Sequence, residues 1–143
     1  MGYEYLDDVS IGDVAFRAFG QTLEELFISA CDATINVMVD NLDSISREVL
    51  RNIEVASDSV EMLLFNLLGE LIYYKDAEQL LLRVYDLQIK GKKEGYSLKA
   101  TGWGEILDPN KHNLLVDVKA VTLQLFKVEE TSGGWKATVI LDV

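Results

Sequence analysis

Aspartates gather at three places in this chain of 143 residues. Asp7, Asp8 and Asp13 surround Val9-Ser10-Ile11-Gly12, Asp40 and Asp43 follow a helical pattern, and Asp142 stands beside Val143. Carboxylates, main-chain oxygens and water are the ligands of hard cations. Calcium takes six to eight oxygens at about 2.3 to 2.6 Å, and magnesium asks for tighter geometry. Two or three aspartates, a chain terminus and water would suffice. Asp142 is the only charged side chain from 137 to 143. Beside the α-carboxylate of Val143 it concentrates negative charge that needs a counter-charge if this end packs inward. The same aspartates also suit solvated turns and caps, and spacing alone leaves both readings open.

Other chemistry lacks parts. His112 and Cys31 are the sole histidine and cysteine, so a structural zinc site, a Cys/His protease, a Ser-His-Asp triad and an internal disulfide are all incomplete. Cys31 reads as a small buried hydrophobe, and His112, in the polar loop Asp108-Pro109-Asn110-Lys111-His112, as a surface histidine. Gly102-Trp103-Gly104 lacks the third glycine and helix start of a phosphate cradle. Two glycines there point to a β-bulge or a close backbone approach, and Trp103 to an anchor for a partner protein. Lys119 is either a solvated strand residue or a cation paired with the aspartate site.

The elements that must position these residues follow from periodicity and punctuation. Thr22-Leu23-Glu24-Glu25 is a capping box. Leu23, Leu26, Phe27, Ala30, Cys31 and Ile35 then form one apolar stripe, so a helix is predicted from Thr22 to about Met38 or Val39. A second helix is expected over about 59–75, with Asp58 and Glu61 marking its start. It is apolar on more than one face and should pack against both a sheet and the first helix, although a partner groove is the functional rival. Strands are predicted at 14–19, 47–56, 83–89, 96–106, 116–128 and 135–141, with hairpin turns at 91–95 and 132–134. Two early helices among hairpin-linked strands give an α+β fold, mostly antiparallel sheets with two helices packed on them.

Composition narrows the class. The net charge of −11 argues against binding a phosphate backbone, which draws its affinity from clustered Lys and Arg. Hydrophobic residues at 49% are enough for one core, and a single domain over 1–143 is expected. The near-apolar stretch 60–74 is shorter than the roughly 20 residues that span a bilayer. The opening Met1 to Tyr5 has no basic region or apolar run of a signal peptide, so no membrane role and a cytoplasmic location are expected.

Several segments, in order, resemble the archease family. Tyr5-Leu6-Asp7-Asp8 through Asp13-Val14-Ala15-Phe16-Arg17-Ala18-Phe19-Gly20 is similar to the family's Y-x-D-H-T-A-D-x-x-x-x-A-x-G, and Thr22 to Phe27 to its T-L-E-E-A-F. Asn36 to Asp40, Leu63-Leu64-Phe65, Gly102 to Glu105, Asp117 to Thr122 and the closing Ile140-Leu141-Asp142-Val143 continue the match.

The resemblance implies a metal-binding accessory protein, not itself a catalyst, that activates the RtcB-type tRNA-splicing ligase by assisting its guanylylation and multiple turnover. A chaperone-like role toward other RNA-modifying enzymes is the alternative it carries. By position, Asp13 and Asp142 are similar to the two acids that hold the family's metal, with an oxygen of Val143 and, directly or through water, Asp40. The cation implied is calcium in the isolated protein, or magnesium or manganese. Asp8, Lys119 and Trp103 are the partner-facing candidates, and the RNA itself is left to the ligase.

The chain departs from the pattern at the motif histidine, replaced by Asp8 or Val9, and at extra residues around Ile11-Gly12. It departs again where K-A-I-T-Y-H reads Lys119-Ala120-Val121-Thr122-Leu123-Gln124. Loss of both histidines spares an all-oxygen site but bears on any histidine-dependent proton transfer or ligase contact.

Overall fold

The computed structural model describes residues 2–7, 11–92 and 94–143. Its strands are β1 (Gly2–Leu6), β2 (Asp13–Gly20), β3 (Val49–Ser57), β4 (Leu80–Lys92), β5 (Gly95–Ile106), β6 (Ala120–Thr131) and β7 (Gly134–Asp142). Helices α1 (Leu23–Met38) and α2 (Val60–Glu78) follow β2 and β3. The strands form two antiparallel sheets, ordered β1-β2-β7-β6 and β3-β5-β4. Both helices touch both sheets: α1 packs on β2 and β7 of the first and β4 of the second, and α2 on β6 of the first and β3 and β4 of the second. The fold is α+β.

Local chemistry explains the boundaries. Thr22 caps α1, its Oγ1 accepting from the Glu25 N–H at 3.1 Å. Ser59 caps α2 by accepting from the Met62 N–H, so the cap is the residue after Asp58. The helix runs past Lys75 to Glu78 and stops where Gln79 takes a left-handed φ of 53°, a common way for a helix to end. Leu63, Leu64, Leu67, Leu68 and Leu71 are all fully buried, because α2 lies between two sheets and needs an apolar surface on more than one side. At about 1.5–3 kcal/mol for each such side chain, this helix supplies a large share of the burial energy.

Four features differ from the sequence reading. β1 precedes the strand read as the first: Tyr3 and Tyr5 alternate with Glu4, and their hydroxyls donate to Asn36 Oδ1 and the Ala33 carbonyl of α1. Residues 116–119 are not strand. The Val118 carbonyl accepts from the Lys75 ammonium at 2.8 Å, a side-chain partner in place of a ladder. β6 is broken between Thr122 and Lys127, where its register against β7 slips and Leu125 adopts φ 55°. The bulge expected in β5 at Gly102 to Gly104 lies in β4 instead, between Val84 and Asp86.

Gly104 serves the other purpose open to a strand glycine, close backbone approach. A Cβ there would stand 1.6 Å from the Leu81 carbonyl oxygen. The predicted turn at 91–95 joins β4 to β5, with Lys93 outside the described residues.

Candidate functional site

Asp13 begins β2 and Asp142 ends β7, and the register places them directly opposite one another. Gly12, at φ 92°, turns the chain into β2, and its carbonyl accepts from the Val143 N–H at 2.8 Å. On the other side of β7, Asp142 pairs with Ala120, and its carbonyl accepts from the Lys119 N–H at 2.8 Å. Three backbone segments therefore fix the position of Asp142.

Directly opposed residues in an antiparallel pair project from the same face, with Cβ atoms about 4.5–5.5 Å apart. The core face of this sheet carries Phe16 and Val139, three register positions away and therefore of opposite parity. The two aspartates thus stand on the outer face, half-buried. Neither carboxylate has an ion pair or side-chain hydrogen bond among the described residues. Like charges set opposite each other in a sheet destabilise it unless a cation lies between them. This donor set of hard oxygens suits a divalent cation, with Val143 able to add a main-chain oxygen.

The other candidates are placed as follows. Asp40 is exposed just beyond α1. Its N–H donates to the Asn113 carbonyl, its own carbonyl accepts from the Asn36 amide, and its carboxylate accepts from Asn113 Nδ2 at 3.3 Å. Its bonds tie it to the loop at 107–119, not to the Asp13 and Asp142 pair. Among the described residues, no three His, Cys, Asp or Glu side chains converge as metal ligands. Lys119 reaches the pair through its main-chain N–H, and its side chain is exposed. Trp103 is half-buried in the second sheet, between Leu50 and Arg83. Asp8 lies outside the described residues.

The structure corrects the reading of His112 and adds a second polar cluster. His112 is 1% exposed. Its Nδ1 accepts from the Asp108 N–H at 2.9 Å, which leaves Nε2–H to donate to Glu105 Oε1 at 2.8 Å. The same buried carboxylate oxygen accepts from Lys111 Nζ at 2.7 Å and the Ser46 N–H at 3.0 Å. Burial works against the charge on Glu105, but the bonds from Lys111, Ser46 and His112 outweigh it and hold the carboxyl well below the usual carboxylate range. Exposed Glu48 is raised by sharing a hydrogen bond with Glu105 and by its charge. A glutamate between Gly104 and Ile106 near the end of a strand, six and seven residues before a Lys and the only His, was the available signal. Separation in sequence hid the contact.

At the other end of the same loop, Lys75 is buried and donates to Asp76, to Asp117 at 2.6 Å and to the Val118 carbonyl. Burial pulls the ammonium down, and the two carboxylates more than compensate, raising it above its ordinary value. In both clusters the buried charge, Glu105 or Lys75, is met by partners of opposite charge. The clusters clamp the loop and offer no free nucleophile.

Two helices held between a four-stranded and a three-stranded antiparallel sheet, with opposed aspartates at one sheet end, define a small α+β protein with a candidate cation-binding edge. The chain matches the model of the Archease protein family (MTH1598/TM1083) over residues 3–143 and belongs to the archease family. It is 36% identical over 142 residues to the Protein archease of Methanosarcina mazei, covering 99% of this chain and 95% of that one. It is likewise 36% identical over 132 residues to the Protein archease of Pyrococcus abyssi, covering 92% of each. The solution structure of protein 1598 from Methanobacterium thermoautotrophicum superimposes with a TM-score of 0.84 at 31% identity, over 99% of both chains. The crystal structure of an archease from Thermotoga maritima, described as a possible chaperone, shares the fold at a TM-score of 0.62 and 19% identity, over 94% of this chain and 93% of that one. No helix among the described residues is long and apolar enough to cross a membrane.

Proposed function

We propose that this archease is an accessory activator of an RtcB-type tRNA-splicing ligase, acting through a divalent cation held by Asp13 and Asp142. The observation that carries the reading is their direct opposition across β2 and β7, with no ion pair to either carboxylate among the described residues. The partner class is what the resemblance to the archease family implies. Bound there, the cation would offset the paired carboxylate charge and offer Lewis acidity toward phosphate oxygens.

The chain's own residues supply the geometry. The Gly12 to Val143 and Lys119 to Asp142 main-chain bonds hold the two carboxylates at the sheet end, and the half-buried setting limits competing water. Presented to the ligase's nucleotide pocket, this rigid acidic edge would deliver or position a metal, or favour the conformation ready for guanylylation. The ligase performs the chemistry and handles the RNA.

Single-turnover guanylylation of the partner ligase tests this. Wild type is expected to stimulate the reaction, while Asp13→Ala and Asp142→Ala lose at least tenfold of that stimulation with their melting temperatures maintained. Equal stimulation by all three proteins, or turnover without any ligase, would overturn it.

A chaperone-like role is the second reading, favoured by the description of the Thermotoga neighbour. The leucines of α2, the feature that would have served it, are buried between the sheets, so another surface must act. Suppressed aggregation of unrelated clients, unaffected by a chelator, would support this version.

A further inference from the structure

The segment from Leu107 to Lys119 has almost no regular structure, yet it is fastened along its length. Glu105 binds His112 and Lys111 at its start, and Lys75 holds Asp117 and Val118 at its end. Between them, Leu114 bridges to Val39, the Leu115 N–H donates to the Met38 carbonyl at 2.8 Å, and Asn113 pairs with Asp40. Each cluster buries a charged group, Glu105 in one and Lys75 in the other, a costly way to fix a loop. What the fixed loop displays is apolar: Leu114, Leu115 and Val116 are 37%, 52% and 47% exposed.

These three side chains line a cavity of about 150 Å³ together with Met38, Leu81, Leu107, Lys75 and Asp117. A volume of that order has room for a benzene-sized group. The rim is acidic. Asp76 and Asp117 are more than half exposed, and Asp40 and Asp108 are exposed beside Asn113 and Leu107. Against them stand the ammonium of Lys75, already shared by two carboxylates, and exposed Lys119. Lys111 is taken up by Glu105. A second copy of this chain, itself at −11, would meet like charge at this rim.

We propose that this cavity is a docking site for a segment of another protein in which one large apolar side chain, of the size of Phe or Leu, is flanked by Lys or Arg. The apolar side chain enters between Leu81 and Leu115, and the flanking cations meet Asp76, Asp117 and Asp40. Because the loop is already fastened, binding has little loop-ordering entropy to overcome. The site is separate from the opposed aspartates and stands whether or not they hold a cation.

The test uses the full chain, isotope-labelled and in excess EDTA, titrated with the synthetic peptide Lys-Arg-Lys-Phe-Lys-Arg-Lys while backbone amide resonances are followed. Saturable shifts are expected at Met38, Leu81, Leu107 and Leu114 to Val116, weakening as salt is raised to 0.5 M. Replacing the central Phe by Ala is expected to weaken binding about tenfold or more, and a peptide with Glu in place of its basic residues should not bind. Leu115→Glu and Val116→Lys, both at exposed positions, should each abolish the shifts while leaving the rest of the spectrum in place. Absence of saturable shifts, equal binding of the Ala or acidic peptides, or retained binding by both variants would overturn the proposal. Movement of the same amides with protein concentration alone would also overturn it, by making a second copy the occupant.

Discussion

Gly104→Ala is expected to lower the unfolding free energy by about 4 kcal/mol, in the range reserved for overpacking and backbone strain. The added methyl would stand 1.6 Å from the Leu81 carbonyl oxygen and 2.7 Å from its carbon. Backbone atoms of a central sheet cannot step aside as a flexible side chain can. β5 lies between β3 and β4, so relieving the clash would disturb the pairing of Gly104 with Val49 and Leu82 on both sides. Gly102, two residues earlier on the same strand, is the matched control. A Cβ there meets atoms of Leu82 and the Arg83 carbonyl at 3.6 Å, ordinary contact, so Gly102→Ala should change stability by less than about 1 kcal/mol. Urea midpoints at unchanged m-value measure both. Equal effects at the two glycines would refute the close-approach account.

Removing the Glu105 carboxylate is expected to cost about 3 kcal/mol, because breaking one side of a buried charged cluster strands its partners. Glu105→Ala leaves the Nε2–H of fully buried His112 and the Ser46 N–H without their acceptor. The loop from Leu107 to Lys119 should loosen, seen as faster amide exchange at Leu115, while α1 and α2 stay protected.

The pH dependence has a definite sign. The folded carboxyl sits below its unfolded value of about 4.3, so the stability it contributes is present above about pH 4.3 and lost as pH falls through the folded value. Glu48 carries the opposite sign, being raised, and is best removed from the comparison. In a Glu48→Gln background, the stability gap between Glu105 and Glu105→Gln should narrow below about pH 4.3 by about 1.4 kcal/mol per pH unit. A gap constant from pH 7 to pH 3 would show that the carboxylate's charge plays no part.

Local signals carried most of the fold. The capping box at Thr22 and the periodicity of Leu23 to Ile35 located α1, and paired apolar runs around glycine turns located the two hairpins. The antiparallel α+β arrangement followed from their order. What escaped depended on contacts distant in sequence. β1 is short, and Tyr3 and Tyr5 are secured by Asn36 and Ala33 of a helix some thirty residues away. Residues 116–119 have strand-like composition, but Lys75, some forty residues earlier, takes the Val118 carbonyl.

His112 looked like a surface residue because its neighbours Asn110, Lys111 and Asn113 are polar. The partner that buries it is Glu105, on a strand. The opposed aspartates were legible only in part. Residue type nominated Asp13 and Asp142, whereas their exact opposition needed the register of β2 against β7, which no single-sequence pattern specifies. Asp40 shows the limit of position alone, since its hydrogen bonds lead to Asn36 and Asn113.

The central claim is that Asp13 and Asp142 jointly hold a divalent cation, and paramagnetic line broadening tests it most directly. Substoichiometric manganese added to the isotope-labelled protein should broaden amides of residues 12–14, 119–121 and 141–143 first, with excess calcium restoring them. Asp13→Asn and Asp142→Asn should each remove the effect. Broadening that begins elsewhere, such as at Asp40 or Asp117, or that survives in both variants, would contradict the account.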